Sequence, residues 1–166
     1  MSQDIKKYRN WVRQGHQSRS AAFYYLGKAI LEELGEEKGT EIIIKQVKEM
    51  GKASGLNRRI TLENKGLENS LENYSASAKA FSDVVSFAWE SEVKKRTPDE
   101  IIREFTYCPI AEGFKNLGEE GVKIGELFCK YIDDAVVQEY NPDYVCERES
   151  SLNLEGLCTL HFKKKQ

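Results

Sequence analysis

The fold turns on the stretch Val84-Val85-Ser86-Phe87-Ala88-Trp89-Glu90-Ser91-Glu92-Val93-Lys94, followed by Thr97-Pro98-Asp99-Glu100 and by Ile101-Ile102-Arg103-Glu104-Phe105-Thr106-Tyr107-Cys108-Pro109. Before Val84 the apolar residues recur at helical spacing. From Val84 they alternate, with Val85, Phe87, Trp89 and Val93 on one side and Ser86, Glu90, Glu92 and Lys94 on the other. Alternation predicts a half-buried strand, because successive strand side chains point to opposite faces. Thr97 to Glu100 carries turn chemistry, and Ile101, Arg103, Phe105 and Tyr107 continue the alternation, so the pair reads as a hairpin. Pro109 then marks a helix start, since its missing N–H costs nothing at the first helical position. Cys108 is thereby placed as the N-cap residue of a helix through Leu117, with Gly118 ending it.

On the N-terminal side, Tyr8, Val12, Phe23, Leu26 and Ile30 predict a helical stripe from Ile5 to Leu34, stopped by Gly35. Gly15 leaves open whether this is one helix or two. A second helix is expected from about Glu37 through Ile42, Ile43, Val47 and Met50, its far half weakened by Gly51 and Gly55. Leu67 to Phe81 reads as a third. On the C-terminal side a long helix is expected from Gly121 to about Tyr140, with Ile124, Leu127, Phe128, Ile132 and Val136 inward. Asn141-Pro142 stops it. Strands Tyr144 to Ser150 and Leu157 to Phe162, turned at Gly156, close the chain. The expectation is an α+β fold, with an antiparallel sheet built from two hairpins and N-terminal and inserted helices packed against it. One domain over 1–166 suffices, with a helical part at 1–83 and a sheet-and-helix part at 84–166.

Composition narrows the function. With 25 Lys+Arg against 27 Asp+Glu, the net charge of −2 argues against a nucleic-acid partner. The only basic run is Lys163-Lys164-Lys165. No apolar stretch approaches the roughly 20 residues of a membrane span. The start, Met1-Ser2-Gln3-Asp4-Ile5-Lys6-Lys7, shows no secretory pattern, so a cytoplasmic, reducing setting and unpaired thiols are expected for the 4 Cys. None of them stands in a Cys-x-x-Cys pair, and their spacing gives little signal for a metal site. No cofactor fingerprint is present either.

Cys108 is the thiol with the most chemical interest. A helix N-terminus favours thiolate, although Glu112, one turn on, would oppose that charge while serving as a proton acceptor. The plainer alternative is a small buried residue between strand and helix. Cys129 shares a helix flank with Asp133, an acid close to the apolar stripe. Such an acid is costly unless it is paired or lines a pocket; the alternative puts Asp133 and Asp134 both in water. Cys158 reads as a core thiol beside Leu160 and Phe162, with His161 on the opposite strand face and Cys146 unassigned. His16, one of only 2 His, falls near the buried stripe of the first helix.

Several of these strings together resemble a known family. Tyr107-Cys108-Pro109-Ile110-Ala111-Glu112, Phe128-Cys129-Lys130-Tyr131-Ile132-Asp133-Asp134-Ala135, Tyr140-Asn141-Pro142, and Leu154-Glu155-Gly156 with Cys158 are similar to motifs of the L-2-amino-thiazoline-4-carboxylic acid hydrolase family. Ala21-Ala22-Phe23-Tyr24-Tyr25-Leu26 and Glu33-Leu34-Gly35-Glu36-Glu37 resemble its first helix. The resemblance covers most of the chain apart from about Gly51 to Asp83. It implies a hydrolase that opens a cyclic amidine in a thiazoline ring to give N-carbamoyl-L-cysteine. It also implies kinship with vinyl-reductase-type small-molecule-binding domains and vesicle-tethering subunits, which act without evident catalysis.

Such a reaction needs a base for water or a protein nucleophile, and a donor for the departing thiolate. Cys108 attacking directly, or Glu112 or Asp133 activating water, would each serve. The substrate carboxylate calls for a cation such as Arg19 or Arg103. Cys108, Glu112, Cys129, Asp133 and His16 are therefore expected around one pocket holding a small-molecule ligand. A non-catalytic sensor of the same fold, or an interaction subunit forming a homodimer through its helical face, are the competing readings.

Overall fold

The computed structural model describes residues 3–80 and 88–165. Helices α1 (Gln3–Leu34), α2 (Glu36–Glu63) and α3 (Leu71–Ala80) precede strands β1 (Glu90–Arg96) and β2 (Glu100–Tyr107). Then come α4 (Pro109–Lys115), α5 (Gly118–Tyr140), β3 (Tyr144–Arg148), a short α6 (Leu152–Glu155) and β4 (Cys158–Lys164). The four strands form one antiparallel sheet in the order β1-β2-β4-β3. The α+β expectation holds, and both hairpins are present, joined edge to edge by the β2–β4 pairing.

Local differences have physical reasons. Described strand begins only at Glu90, and Val84 to Phe87 lie outside the described residues. The alternation foreseen there survives in β1 as one half-buried residue, Val93, because β1 is an edge strand with an exposed outer rim. Helix α1 runs unbroken through Gly15. Its buried line is Ser20, Tyr24 and Gly27, while Tyr8 (60 % exposed) and Leu26 (68 %) face out. Phe23 and Ile30 of the expected stripe do pack against the core, and polar anchors fix the helix beside them. Ser20 Oγ donates to the Ile110 carbonyl at 2.9 Å, and Tyr24 Oη to Glu120 at 2.6 Å. The β3–β4 connection is longer than a turn. It contains α6, capped by Gly156 at φ +77°, the left-handed conformation glycine tolerates best.

Helix α2 also runs unbroken, through both glycines expected to weaken it. A Cβ on Gly51 would lie 2.6 Å from Ala135 Cβ, and one on Gly55 would lie 2.3 Å from the Val136 carbonyl oxygen. The bare backbone at these positions lets α2 lie directly on α5, a gain that outweighs the helix-propensity cost of about 1 kcal/mol per glycine.

Two apolar clusters result. Tyr24, Ile43, Val47, Phe114, Ile124 and Phe128 form the first, among the helices. The second joins α3, the end of α5 and the inner sheet face through Leu71, Tyr74, Ile101, Tyr140, Leu160 and Phe162. The outer sheet face carries ion pairs such as Lys163–Glu147 at 2.8 Å, and the His161 ring lies within hydrogen-bond distance of Glu100 and Glu149, at 2.7 and 2.8 Å. No helix among the described residues is long and apolar enough to cross a membrane.

Candidate active site

Where the two clusters meet, they leave a cavity of about 600 Å³. Phe128 and Ile132 of α5 wall it on one side, and Ile101, Phe105, Leu160 and Phe162 of the sheet on the other. Volumes of roughly 300–1,000 Å³ are usual for small-molecule sites.

Polar groups enter this apolar space at defined points. Strand β2 ends at Tyr107, and Pro109 starts α4, so Cys108 sits at the joint with its side chain on the cavity wall. Cys129 and Asp133, one turn apart on α5, line the same space, and Cys158 joins them from β4. Cys158 is thus a wall residue as well as a core one. Cys146 is buried in the sheet cluster instead, its N–H donating to Asp134 Oδ1 at 3.0 Å. The two adjacent acids have parted roles: Asp134 pins β3, and Asp133 faces the cavity. Among the described residues, no three His, Cys, Asp or Glu side chains come together in a way that could hold a metal ion.

Asp133 has no hydrogen-bond or ion-pair partner among the described residues. Burial raises its pKa to about 6, against the pull of Arg58 and Arg148. It is therefore mostly ionised at neutral pH yet near its proton-exchange point, as a general base should be. Cys108 departs from expectation. Burial raises its pKa and outweighs the opposing pull of the Ala111 and Ile110 amides and the Trp89 indole; the Asp133 charge adds to the rise. The sulfur makes no cap hydrogen bond. The helix N-terminus acts as anticipated, but desolvation is larger, so the group rests as a thiol. Burial likewise lifts Cys129 well above the usual thiol range and Cys158 to about 12.

Of the expected residues, Cys108, Cys129, Asp133, Arg19 and Arg103 line the cavity, Arg19 from an exposed position. Glu112 does not. Ile110 and Ala111 take the cavity side of α4, and Glu112 lies about 100° further round the helix. His16 does not line it either. Its ring meets Trp89 edge-on, with centroids 4.6 Å apart, and Trp89 is the wall residue. Burial, aided by the Arg19 charge, holds the imidazole below its ordinary pKa. His16 thus supports the wall from behind, as a neutral ring.

Three cavity groups were absent from the expected set. Arg58 of α2 extends over the Tyr74 ring, 4.3 Å from its centroid. Like Arg103, it has no carboxylate partner among the described residues. Its signal was available: Gly55, Arg58 and Leu62 follow helical spacing on the buried line of α2. Arg148 also lines the cavity but is neutralised by Glu126 at 2.5 Å. Asn153 of α6 donates to Glu126 at 2.9 Å, while its Oδ1 is buried with no partner. No pattern in the sequence points to Asn153.

A family model described as L-2-amino-thiazoline-4-carboxylic acid hydrolase matches residues 16–162. The chain belongs to that family. No curated protein matches the chain. The part shared with the L-2-amino-thiazoline-4-carboxylic acid hydrolase family opens within α1 and closes within β4, so it contains every residue that lines the cavity. Only the first turns of α1 and the chain end fall outside it. The middle of the chain, where the motifs show no likeness, is thereby included, and with it Arg58 and Tyr74.

Proposed function

We propose that the protein hydrolyses a cyclic amidine that carries a carboxylate, 2-amino-thiazoline-4-carboxylate or a close relative. The observation that carries this reading is Asp133: a half-buried carboxylate with no hydrogen-bond or ion-pair partner among the described residues, facing a cavity lined also by Arg58 and Arg103, which have no carboxylate partner among those residues. A zwitterionic ring complements that arrangement. Its carboxylate is drawn to Arg58 and Arg103, and its amidinium is drawn to Asp133.

Asp133 takes a proton from water as the oxygen bonds to the amidine carbon. The carbon–sulfur bond of the tetrahedral adduct then breaks. The hydroxyl oxygen becomes the urea carbonyl and gives its proton to solvent, while Asp133 returns its proton to the departing sulfur, giving N-carbamoyl-cysteine and the free carboxylate. Cys108 is kept as a neutral thiol by burial, so it serves this route as part of the cavity wall rather than as the attacking nucleophile. Glu112, off the cavity, has no part in it.

Purified protein is incubated with the thiazoline carboxylate while N-carbamoylcysteine is followed, beside Asp133→Asn and Cys108→Ala. Turnover lost in Asp133→Asn and reduced in Cys108→Ala supports the route. Turnover undiminished in Asp133→Asn overturns it. The apolar sheet wall favours a second reading, a non-catalytic small-molecule binder of the same fold, which predicts saturable binding without product.

A further inference from the structure

We propose that the ligand of this cavity is an amphipathic carboxylate larger than the bare ring, with its anionic end at Arg58 and Arg103 and an apolar substituent laid along the sheet wall. This rests on the reading of the cavity as a carboxylate site and extends it to the class of substrate.

Size is the first argument. The bare ring compound has about nine non-hydrogen atoms, and even at the roughly 30 Å³ that a water takes up in the liquid it fills under half of the 600 Å³. The remainder is not a polar space that water would hold well.

Register is the second argument. In the β2–β4 pairing, Arg103 lies opposite Leu160, flanked by the pairs Ile101–Phe162 and Phe105–Cys158. All six residues line the cavity. The guanidinium therefore emerges from the middle of an apolar surface about four residues, or roughly 13 Å, long. One side of Arg103 leads toward Cys158 and the thiols. The other leads to Ile101, Phe162 and Tyr74, whose ring is 5.4 Å from that of Phe162. A ring placed between Arg103 and Asp133 leaves that second direction bare.

Charge is the third argument. Burial, reinforced by the neighbouring Arg96 and Arg58 charges, disfavours the Arg103 cation, and no protein carboxylate answers it among the described residues. A desolvated guanidinium in an apolar wall suits a ligand that is itself part anion and part hydrocarbon.

The test is a binding series of simple carboxylates, from acetate through butanoate and hexanoate to octanoate. It is read by the fluorescence of Trp89, a cavity residue, in a Trp11→Phe background. Affinity rising by about fourfold for each added methylene is expected while the chain extends along the wall. In Arg103→Gln every member weakens by a similar factor and the slope persists. Retention of the thermal midpoint is expected there, because Arg103 has no carboxylate partner among the described residues. Affinity that is flat across the series overturns the proposal, as does a slope unaccompanied by any loss in Arg103→Gln. The hydrolase reading fails separately: a sloped series with no turnover of the thiazoline sinks that reading alone, and turnover with a flat series sinks this one alone.

Discussion

Arg148 donates to both carboxylate oxygens of Glu126, at 2.5 and 3.4 Å, and so removes its own charge from the cavity it lines. Ser151 Oγ at 2.6 Å and Asn153 at 2.9 Å complete the set around Glu126. The contrast with Arg58 and Arg103 defines the site: the Arg148 guanidinium is answered by Glu126, whereas these two half-buried ones have no carboxylate partner among the described residues.

Glu126→Gln tests the structural member of that contrast. Burial opposes ionisation of Glu126, but the hydrogen bonds from Ser151, Arg148 and Asn153 outweigh it and hold its pKa below 4.5. The contribution of this carboxylate to stability is thus present above about pH 4.5 and lost as pH falls through the lower, folded-state value. Urea unfolding at pH 7 should show a loss of about 1–3 kcal/mol in Glu126→Gln. The gap should narrow in acid.

Asp133 carries the opposite sign. Its pKa is raised from 3.8 to about 6, so its favourable contribution exists below about pH 3.8 and disappears as pH rises through 6. At pH 7 the ionised group strains the fold, and Asp133→Asn should stabilise it by on the order of 2 kcal/mol. The same substitution should abolish turnover. For the native protein, kcat/KM should climb as pH rises through about 6. A variant that is both firmer and inactive separates a catalytic group from a packing one.

Thiol reactivity gives a third measurement. Because Cys108, Cys129, Cys146 and Cys158 all have pKa values raised above 9.0, alkylation by iodoacetamide at pH 7 should run at least about threefold slower than for free cysteine. Mass spectrometry of timed samples reads the rate at each site. Rapid modification of Cys108 at pH 7 would restore direct thiolate attack as the mechanism.

The glycines of the long helices should divide by environment. A Cβ on Gly15 meets nothing within 4 Å, whereas one on Gly55 would meet the Val136 carbonyl oxygen at 2.3 Å. Gly15→Ala should raise stability by about 0.5–1 kcal/mol. Gly55→Ala should lower it by about 1–3 kcal/mol or more, through overpacking against α5. Thermal midpoints of the two variants give the comparison.

How much of this was legible beforehand depended on whether the deciding force was local. The change of period near Val84, the Pro109 helix start and the Asn141-Pro142 stop act within a few residues of sequence, and they gave the α+β architecture. Cys108, Cys129 and Asp133 were found because each sits at a visible conflict, such as an acid beside an apolar stripe. The rotation of α1 was hidden, because Ser20 and Tyr24 are set by partners 90 and 96 residues away. The resting state of Cys108 was hidden for a similar reason. The dipole that favours its thiolate is a property of α4 alone, while the burial that defeats it comes from the whole assembly. Asn153 lies on a four-residue helix placed by contacts distant in sequence, among them its own bond to Glu126.

The backbone contact between α2 and α5 has a bearing on selectivity. With Gly51 and Gly55 seated on α5, Arg58 rides on a helix that has no slack to retreat, and the helical side of the cavity acts as a fixed calliper. The sheet side offers instead a run of side chains along which a guest can lengthen. Ligands should accordingly be discriminated sharply by girth and leniently by length.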